Sequence, residues 1–260
     1  MKSKIVIGNW KMNLSVPEGT ILIEKFKKEL FKIKKTEVVI CPGFLNIYPA
    51  SIELKDTNIK LGAQNFFYEE KGEYTGEVSP MQLAHFVDYA IVGHSERRRH
   101  FNETDKTVAR KAEAAMFHEI IPIICVGETL HENEDGLSRT VVMNQLEAAL
   151  SHLTEEEIEK SIIAYEPVWA VGTGRICSSV EAEKMTENIR NLIKALYSEK
   201  ASENVRVIYG GSINCENAGD FIASKNIDGV LVGGVSLNND KFTELVKEFE
   251  ESIFRVGAKK

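Results

Sequence analysis

No stretch of the 260-residue sequence approaches the roughly 18–20 apolar residues that a membrane-spanning helix requires. The first residues, Met1-Lys2-Ser3-Lys4-Ile5-Val6-Ile7-Gly8, are too short in apolar side chains for a secretory signal. There are only four cysteines, Cys41, Cys125, Cys177 and Cys215, with no C-x-x-C pair and no histidine at metal-ligand spacing. Four cysteines suffice for two disulfides, but in a chain of this length without a secretory signal free thiols in a reducing compartment are expected. An excess of positive charge is also missing. With 32 Lys+Arg against 39 Asp+Glu the formal charge is −7, which argues against nucleic acid or an acidic membrane surface as partner. A small anion would have to be drawn by a local site. Proline-rich and low-complexity linkers are absent, so one domain over 1–260 is the economical reading. These absences together predict a cytoplasmic globular protein.

What is present is a recurrence. Short apolar runs appear at Ile5-Val6-Ile7, Val38-Val39-Ile40, Ile59-Lys60-Leu61, Tyr89 to Val92, Ile121 to Val126, Ile162 to Tyr165, Val205 to Tyr209 and Val230-Leu231-Val232. They are mostly unbroken rather than alternating, as strands buried on both faces of a parallel sheet are. Amphipathic segments lie between them. Leu22, Phe26, Leu30 and Ile33 fall on one helical face, preceded by a capping box at Ser15 and Glu18, and Phe242, Leu245, Val246, Phe249 and Ile253 repeat the pattern. Eight strands alternating with helices predict an α/β fold, a parallel eight-stranded (β/α)8 barrel. The competing doubly wound sheet usually carries a glycine-rich turn after its first strand, but Gly8 is followed by Asn9-Trp10-Lys11.

In such a barrel, reactive groups belong at the C-terminal ends of the strands. Asn9 and Lys11 follow the first strand, His94-Ser95-Glu96 the fourth and Glu166 the sixth, while Gly210-Gly211-Ser212 and Gly233-Gly234 follow the seventh and eighth. Pro167 biases Glu166 to an extended backbone, and an apolar strand end shields its carboxylate from water, as suits a base. The same residue would also serve as an ion-paired structural group. His94 stands at an expected helix start, where backbone N–H groups disfavour an imidazolium and leave a neutral ring able to donate a hydrogen bond; a structural histidine is the bland reading. Lys11 reads as a solvated lysine, a Schiff-base former or an ammonium reaching an anion at the barrel mouth. Two glycine pairs at the seventh and eighth strand ends, with the Ser212 hydroxyl, predict phosphate binding through bare backbone N–H groups. The run Pro167-Val168-Trp169-Ala170-Val171-Gly172-Thr173-Gly174-Arg175-Ile176-Cys177, apolar in its first half and carrying paired glycines, suits a lid.

These residues resemble the triosephosphate isomerase family. The matching blocks are Gly8-Asn9-Trp10-Lys11-Met12-Asn13, Gly62-Ala63-Gln64-Asn65, Val92 to Arg98, Cys125-Val126-Gly127-Glu128, Ala164 to Ala170, Gly172-Thr173-Gly174, Tyr209 to Ser212 and Leu231 to Gly234, in family order from residue 8 to residue 234. The resemblance implies a cofactor-free and metal-free isomerase of glycolysis and gluconeogenesis, interconverting dihydroxyacetone phosphate and D-glyceraldehyde 3-phosphate. It implies Glu166 as the base, His94 as the electrophile that shuttles protons between oxygens, and Lys11 as a substrate-binding residue that stabilises both the phosphate and the enediolate, with Asn9 helping to hold the oxygens. Gly172, Ser212, Gly233 and Gly234 would grip the phosphate. A Glu base paired with a neutral His under a closing loop is the established pattern of this family, and it enters with the resemblance. The resemblance also implies a homodimer in which the loop Phe66 to Pro80, with Tyr74, Thr75, Gly76 and Glu77, reaches the neighbouring subunit, Thr75 buttressing the partner's Lys11 and the partner's His94. The chain departs from the family at Arg175-Ile176-Cys177, where Lys-Thr-Ala is usual, and at Val235, where Ala is common. Cys177 is expected to be a thiol on a mobile loop, open to oxidation.

Two other readings fit parts of the pattern: a different phosphate-binding barrel enzyme, such as a Schiff-base aldolase or an aminosugar isomerase of amino-acid biosynthesis, and a barrel kept as a binding protein. A Schiff-base aldolase would be expected to carry its lysine deep in a later strand, where strand six has Glu166 instead. A barrel kept as a binding protein should have eroded Lys11, His94 or Glu166, and all three are present. A metal-dependent barrel lacks its cluster of His and carboxylate at strand ends.

Overall fold

The computed structural model describes residues 2–171, 175 and 177–257. Strands β1 (Ile5–Asn9), β2 (Glu37–Cys41), β3 (Ile59–Ala63), β4 (Tyr89–Val92), β5 (Ile121–Val126), β6 (Ile162–Tyr165), β7 (Arg206–Tyr209) and β8 (Gly229–Val232) pair in parallel and in order, with β8 closing onto β1. This is the expected (β/α)8 barrel. Each predicted run lies within a strand or overlaps it, and only the seventh strand begins a residue later than its run.

The reason is visible in the side chains. Successive residues of a strand point to opposite faces. Ile5, Ile7, Val39, Ile91, Ile123 and Ile208 fill the barrel interior, whereas Val6, Val38, Ile40, Val92, Ile124 and Val207 pack outward against helices. Both faces are therefore dry, and an unbroken apolar run is what such a strand requires.

The helices between the strands supply the outer layer. The longer ones are α1 (Val16–Leu30), α2 (Phe44–Glu53), α5 (Asp105–Phe117), α7 (Ser138–Leu150), α9 (Ser179–Leu196) and α12 (Asn239–Gly257). The helix α1 starts as expected, its Glu18 carboxylate accepting from the Ser15 N–H at 2.8 Å and the Ser15 hydroxyl at 2.6 Å. The apolar stripe of α12 is buried at Phe242, Leu245, Val246 and Phe249, and Phe242 meets Phe26 of α1 with ring centroids 4.9 Å apart. Shorter helices intervene at α3 (Pro80–Leu83), α4 (Ser95–Phe101), α6 (Leu130–Glu134), α8 (Glu155–Lys160), α10 (Glu199–Asn204) and α11 (Ala218–Ala223).

The two ends of the barrel are chemically unlike. At the N-terminal end Arg206 pairs with Glu37 at 2.5 Å and bonds the Tyr89 hydroxyl at 3.2 Å, a closed polar plug. At the C-terminal end the strands open into the loops that carry the candidate residues. Among the described residues no helix is long and apolar enough to cross a membrane, and no group of His, Cys, Asp and Glu is arranged to hold a metal.

Candidate active site

The loop after β1 turns sharply. Lys11 has φ +54°, an uncommon conformation for a residue with a side chain. Its N–H donates to Asn9 Oδ1 at 3.0 Å, and its carbonyl accepts from Gln64 Nε2 at 2.8 Å. Held from both sides, Lys11 sends its ammonium across the barrel mouth to Glu96 Oε1 at 2.6 Å. Burial alone would raise the Glu96 carboxyl, but the Lys11 hydrogen bond and charge offset it and hold the group below the usual range. The Lys11 stem also lies against Gly233, where an added Cβ would come within 3.2 Å of Lys11 Cε.

After β4 the chain passes through Gly93 at φ +73°. Its N–H donates to Glu103 Oε1 at 2.7 Å and its carbonyl accepts from Arg98 Nε at 2.8 Å, so the peptide before Gly93 and the peptide after it are each held. That next residue, His94, caps α4. Its Nδ1 accepts from the Glu96 N–H at 3.2 Å, which assigns the ring hydrogen to Nε2 and gives a neutral donor tautomer. Nε2 stands 3.1 Å from Glu166 Oε1.

Glu166 follows β6 and is only 2% exposed. Its N–H continues the ladder to Val126 O at 2.8 Å, and its Oε2 accepts from the Ser95 N–H at 3.1 Å. The approach of His94 to Oε1 is close but lacks hydrogen-bond alignment, so Oε1 is a buried carboxylate oxygen without a hydrogen-bond donor among the described residues. A base with one lone-pair set uncommitted is chemically competent to take a proton. Gly210 makes room for it, since a Cβ there would meet Glu166 Cγ at 2.7 Å. Behind it, burial and then the Glu166 charge push the Cys125 thiol far above its usual range, so this cysteine stays neutral.

Asn9, Lys11, His94 and Glu166 line one cavity of about 250 Å³, closed on the other side by Gly211, Ser212, Gly233 and Gly234. All these sequence-derived candidates are brought together. The Ser212 hydroxyl is committed to Ala170 O at 2.6 Å. The Gly233 carbonyl is drawn away by the Ser236 N–H at 2.9 Å and hydroxyl at 2.6 Å, at the start of a 3-10 turn, Gly234–Leu237. Val235 packs half-buried against the main core.

Of the lid run, Val168–Ala170 form a 3-10 turn after Pro167 and Val171 lines the cavity. Trp169 Nε1 donates at 2.7 Å to Glu128, a fully buried carboxylate that also accepts from the Tyr165 hydroxyl at 3.2 Å. Gly172, Thr173, Gly174 and Ile176 lie outside the described residues. Arg175 is exposed. The expectation for Cys177 is overturned. It is 1% exposed, and burial pushes its thiol up to about 12, so it is neither open to solvent nor a thiolate. Tyr74, Thr75, Gly76 and Glu77 sit on the exposed loop between β3 and α3, away from the cavity.

Several residues around this site carry no role in the sequence reading. Gln64, Glu96 and Glu128 lie inside the family-like blocks, so the signal is present without a function attached to it. Glu103, Lys111 and Gln145 lie outside them and carry no local signature.

A family model described as triosephosphate isomerase matches residues 4–249. Among curated relatives, the triosephosphate isomerase of Clostridium tetani is 45% identical over 247 residues, covering 95% of this chain and 96% of that protein. That of Dictyoglomus turgidum is 44% identical over 248 residues, with 95% and 100% covered. That of Caldanaerobacter subterraneus subsp. tengcongensis is 45% identical over 247 residues, with 95% and 99% covered.

Proposed function

This chain belongs to the triosephosphate isomerase family, and from that premise we propose how its own residues interconvert dihydroxyacetone phosphate and D-glyceraldehyde 3-phosphate. Glu166 takes a proton from carbon 1 of the ketose. The electron pair moves into the carbonyl, and the developing oxyanion is met by the Nε2–H of His94 and the ammonium of Lys11, with the Asn9 amide beside them. His94 delivers its proton to the oxygen on carbon 2, recovers one from the oxygen on carbon 1, and Glu166 returns its proton to carbon 2. No cofactor or metal enters this sequence of steps.

The backbone of Ser212, Gly233, Gly234 and Gly172 grips the phosphate. The run Pro167 to Cys177 closes over it, excluding water and protecting the enediolate. Trp169 on Glu128 and Ser212 on Ala170 are contacts through which the described part of that run rests on the barrel.

We also propose that the whole chain, 1–260, is one catalytic domain, that it works in the cytoplasm, and that it is a homodimer. Supporting the last, α2 and its neighbours present Phe44, Leu45, Tyr48, Met81 and Phe86 as exposed apolar side chains, and the Tyr74–Glu77 loop leads into α3, which carries Met81. In the dimer Thr75 buttresses the partner's Lys11 and the partner's His94.

The observation that carries this reading is the convergence of a buried carboxylate, a neutral imidazole and an ammonium on one cavity walled by two glycine pairs. The test is a triose phosphate isomerisation assay of the purified parent beside Glu166→Gln. Robust parent activity with a loss of at least about a hundredfold in the variant is expected. Equal activity in both would remove Glu166 from the role of base, and an inactive, folded parent would overturn the mechanism.

A further inference from the structure

The residue behind the base is itself held by a side chain from a distant helix. Gly127 follows β5 directly. A Cβ added there would meet the Glu166 carbonyl oxygen at 1.7 Å and its carbonyl carbon at 2.6 Å, so the two backbones touch where only glycine fits. The strand ladder pins the peptides on either side. The Glu166 N–H donates to Val126 O at 2.8 Å and the Val168 N–H donates to Glu128 O at 3.0 Å.

Gly127 itself is served by Gln145 of α7. Its N–H donates to Gln145 Oε1 at 2.8 Å, and its carbonyl accepts from Gln145 Nε2 at 3.1 Å. A primary amide is the side chain that can donate and accept at once in this paired geometry. Without it, a buried glycine peptide would have two unmet polar groups and the torsional freedom of a residue with no Cβ.

We propose that Gln145 is a positioning residue for the isomerisation. By fixing the Gly127 backbone on both sides of its Cα it sets the wall against which the Glu166 backbone rests. The phosphate-facing glycines at the ends of β7 and β8 take no part in this contact. Loss of Gln145 therefore acts on proton transfer and leaves phosphate binding intact. This inference rests on Glu166 being the base.

The experiment compares parent, Gln145→Ala, Gln145→Glu and Glu166→Gln. Gln145→Glu keeps the size and the acceptor for the Gly127 N–H but loses the donor to its carbonyl. Measured are kcat, KM, inhibition by inorganic phosphate, the primary isotope effect with substrate deuterated at carbon 1, and the thermal midpoint. A misplacement of this kind is expected to lower kcat at least about tenfold in Gln145→Ala. Gln145→Glu should fall between it and the parent, with kcat still more than about twofold below the parent, KM and phosphate inhibition should move less than about twofold, and the isotope effect should rise as proton transfer becomes limiting. A folded Gln145→Ala or Gln145→Glu with kcat within about twofold of the parent overturns the proposal. So does weakening of phosphate inhibition in step with kcat, which marks general loosening of the barrel. If Gln145→Ala does not fold, Gln145→Glu alone decides by the same criteria. If Glu166→Gln retains full activity, the base assignment has failed, and that outcome is distinct from a silent Gln145.

Discussion

Lys111 and Glu103 are among the most deeply placed charges of the molecule, 3% and 6% exposed, and they stand behind the loop that carries His94. Lys111 Nζ bonds Glu103 Oε2 and Asn65 Oδ1, each at 2.6 Å, while Arg97 Nε reaches the same carboxylate at 2.8 Å and Gly93 occupies its other oxygen. Burial by itself would raise the Glu103 carboxyl, yet Lys111, Arg97 and the Gly93 N–H together hold it below its usual range. A buried ion set of this kind is costly to break on one side only. Lys111→Met is expected to lower stability by about 3 kcal/mol, read by denaturant unfolding at fixed protein concentration. A loss under about 1 kcal/mol would mean that Arg97 suffices as counter-charge. The thiols give a second check at this scale. Cys41, Cys125 and Cys177 are buried and Cys215 is half-buried, its thiol raised to about 11 by burial and the neighbouring Glu244. A disulfide reagent at mildly alkaline pH should modify Cys215 alone, slowly, in the native protein, and all four cysteines after denaturation. Fast native labelling of Cys177 would contradict its placement. At this scale the sequence is informative about residues that break a local pattern. Asn9, Lys11, His94 and Glu166 were legible because polar groups at the ends of apolar strands need a reason. Lys111 and Gln145 were not, because each sits on an amphipathic helix where a polar residue is the default, and the partners Asn65 and Gly127 lie 46 and 18 positions away.

At the scale of elements, α12 does more than cover β1. Its Glu250 is 8% exposed and caps the turn between α1 and β2, accepting from the N–H groups of Lys34 at 3.0 Å, Lys35 at 3.1 Å and Thr36 at 2.7 Å. Burial alone would raise this carboxyl, but the backbone donors of Lys34 and Thr36 and the Thr36 side chain lower it overall. A carboxyl whose folded pKa lies below its unfolded value of about 4.3 contributes stability above that value and loses it as pH falls through the folded pKa. Glu250→Gln should therefore cost about 1–2 kcal/mol near neutrality. The gap between the thermal midpoints of parent and variant should narrow as pH drops below about 4. A gap independent of pH would show that charge plays no part in the cap. The strands and the helices α1 and α12 were readable because burial on two faces and on one face leaves two distinct periodicities. The helices α3, α6, α8 and α10 contain 4, 5, 6 and 6 residues. That is too few turns for an apolar period to repeat. Their caps, Ser79 with Gln82, Thr129 with Glu132 and Thr154 with Glu157, were present in the sequence but are shared by many loops.

For the molecule as a whole, the apolar flank calls for a cover. Leu45 and Tyr48 of α2 are 83% and 62% exposed, and Tyr48 meets Phe86 edge-on with centroids 5.7 Å apart, so aromatic surface is already organised there. A monomer in water gains nothing from ordering such a face, whereas a second copy would bury it along with the Tyr74–Glu77 loop. Sedimentation of the parent should give twice the chain mass of 29.2 kDa. Tyr48→Glu places a charge in the middle of the patch without touching the catalytic cavity, and burying an unpaired carboxylate disfavours association by several kcal/mol. At micromolar concentration this variant should sediment as a monomer. Its activity should fall at least about tenfold, because Lys11 and His94 lose the partner's Thr75, and should recover as protein concentration is raised. A Tyr48→Glu monomer with full activity would detach the dimer from catalysis. A parent that sediments at the single-chain mass would assign the apolar flank to some other contact and leave the Tyr74–Glu77 loop without its proposed role.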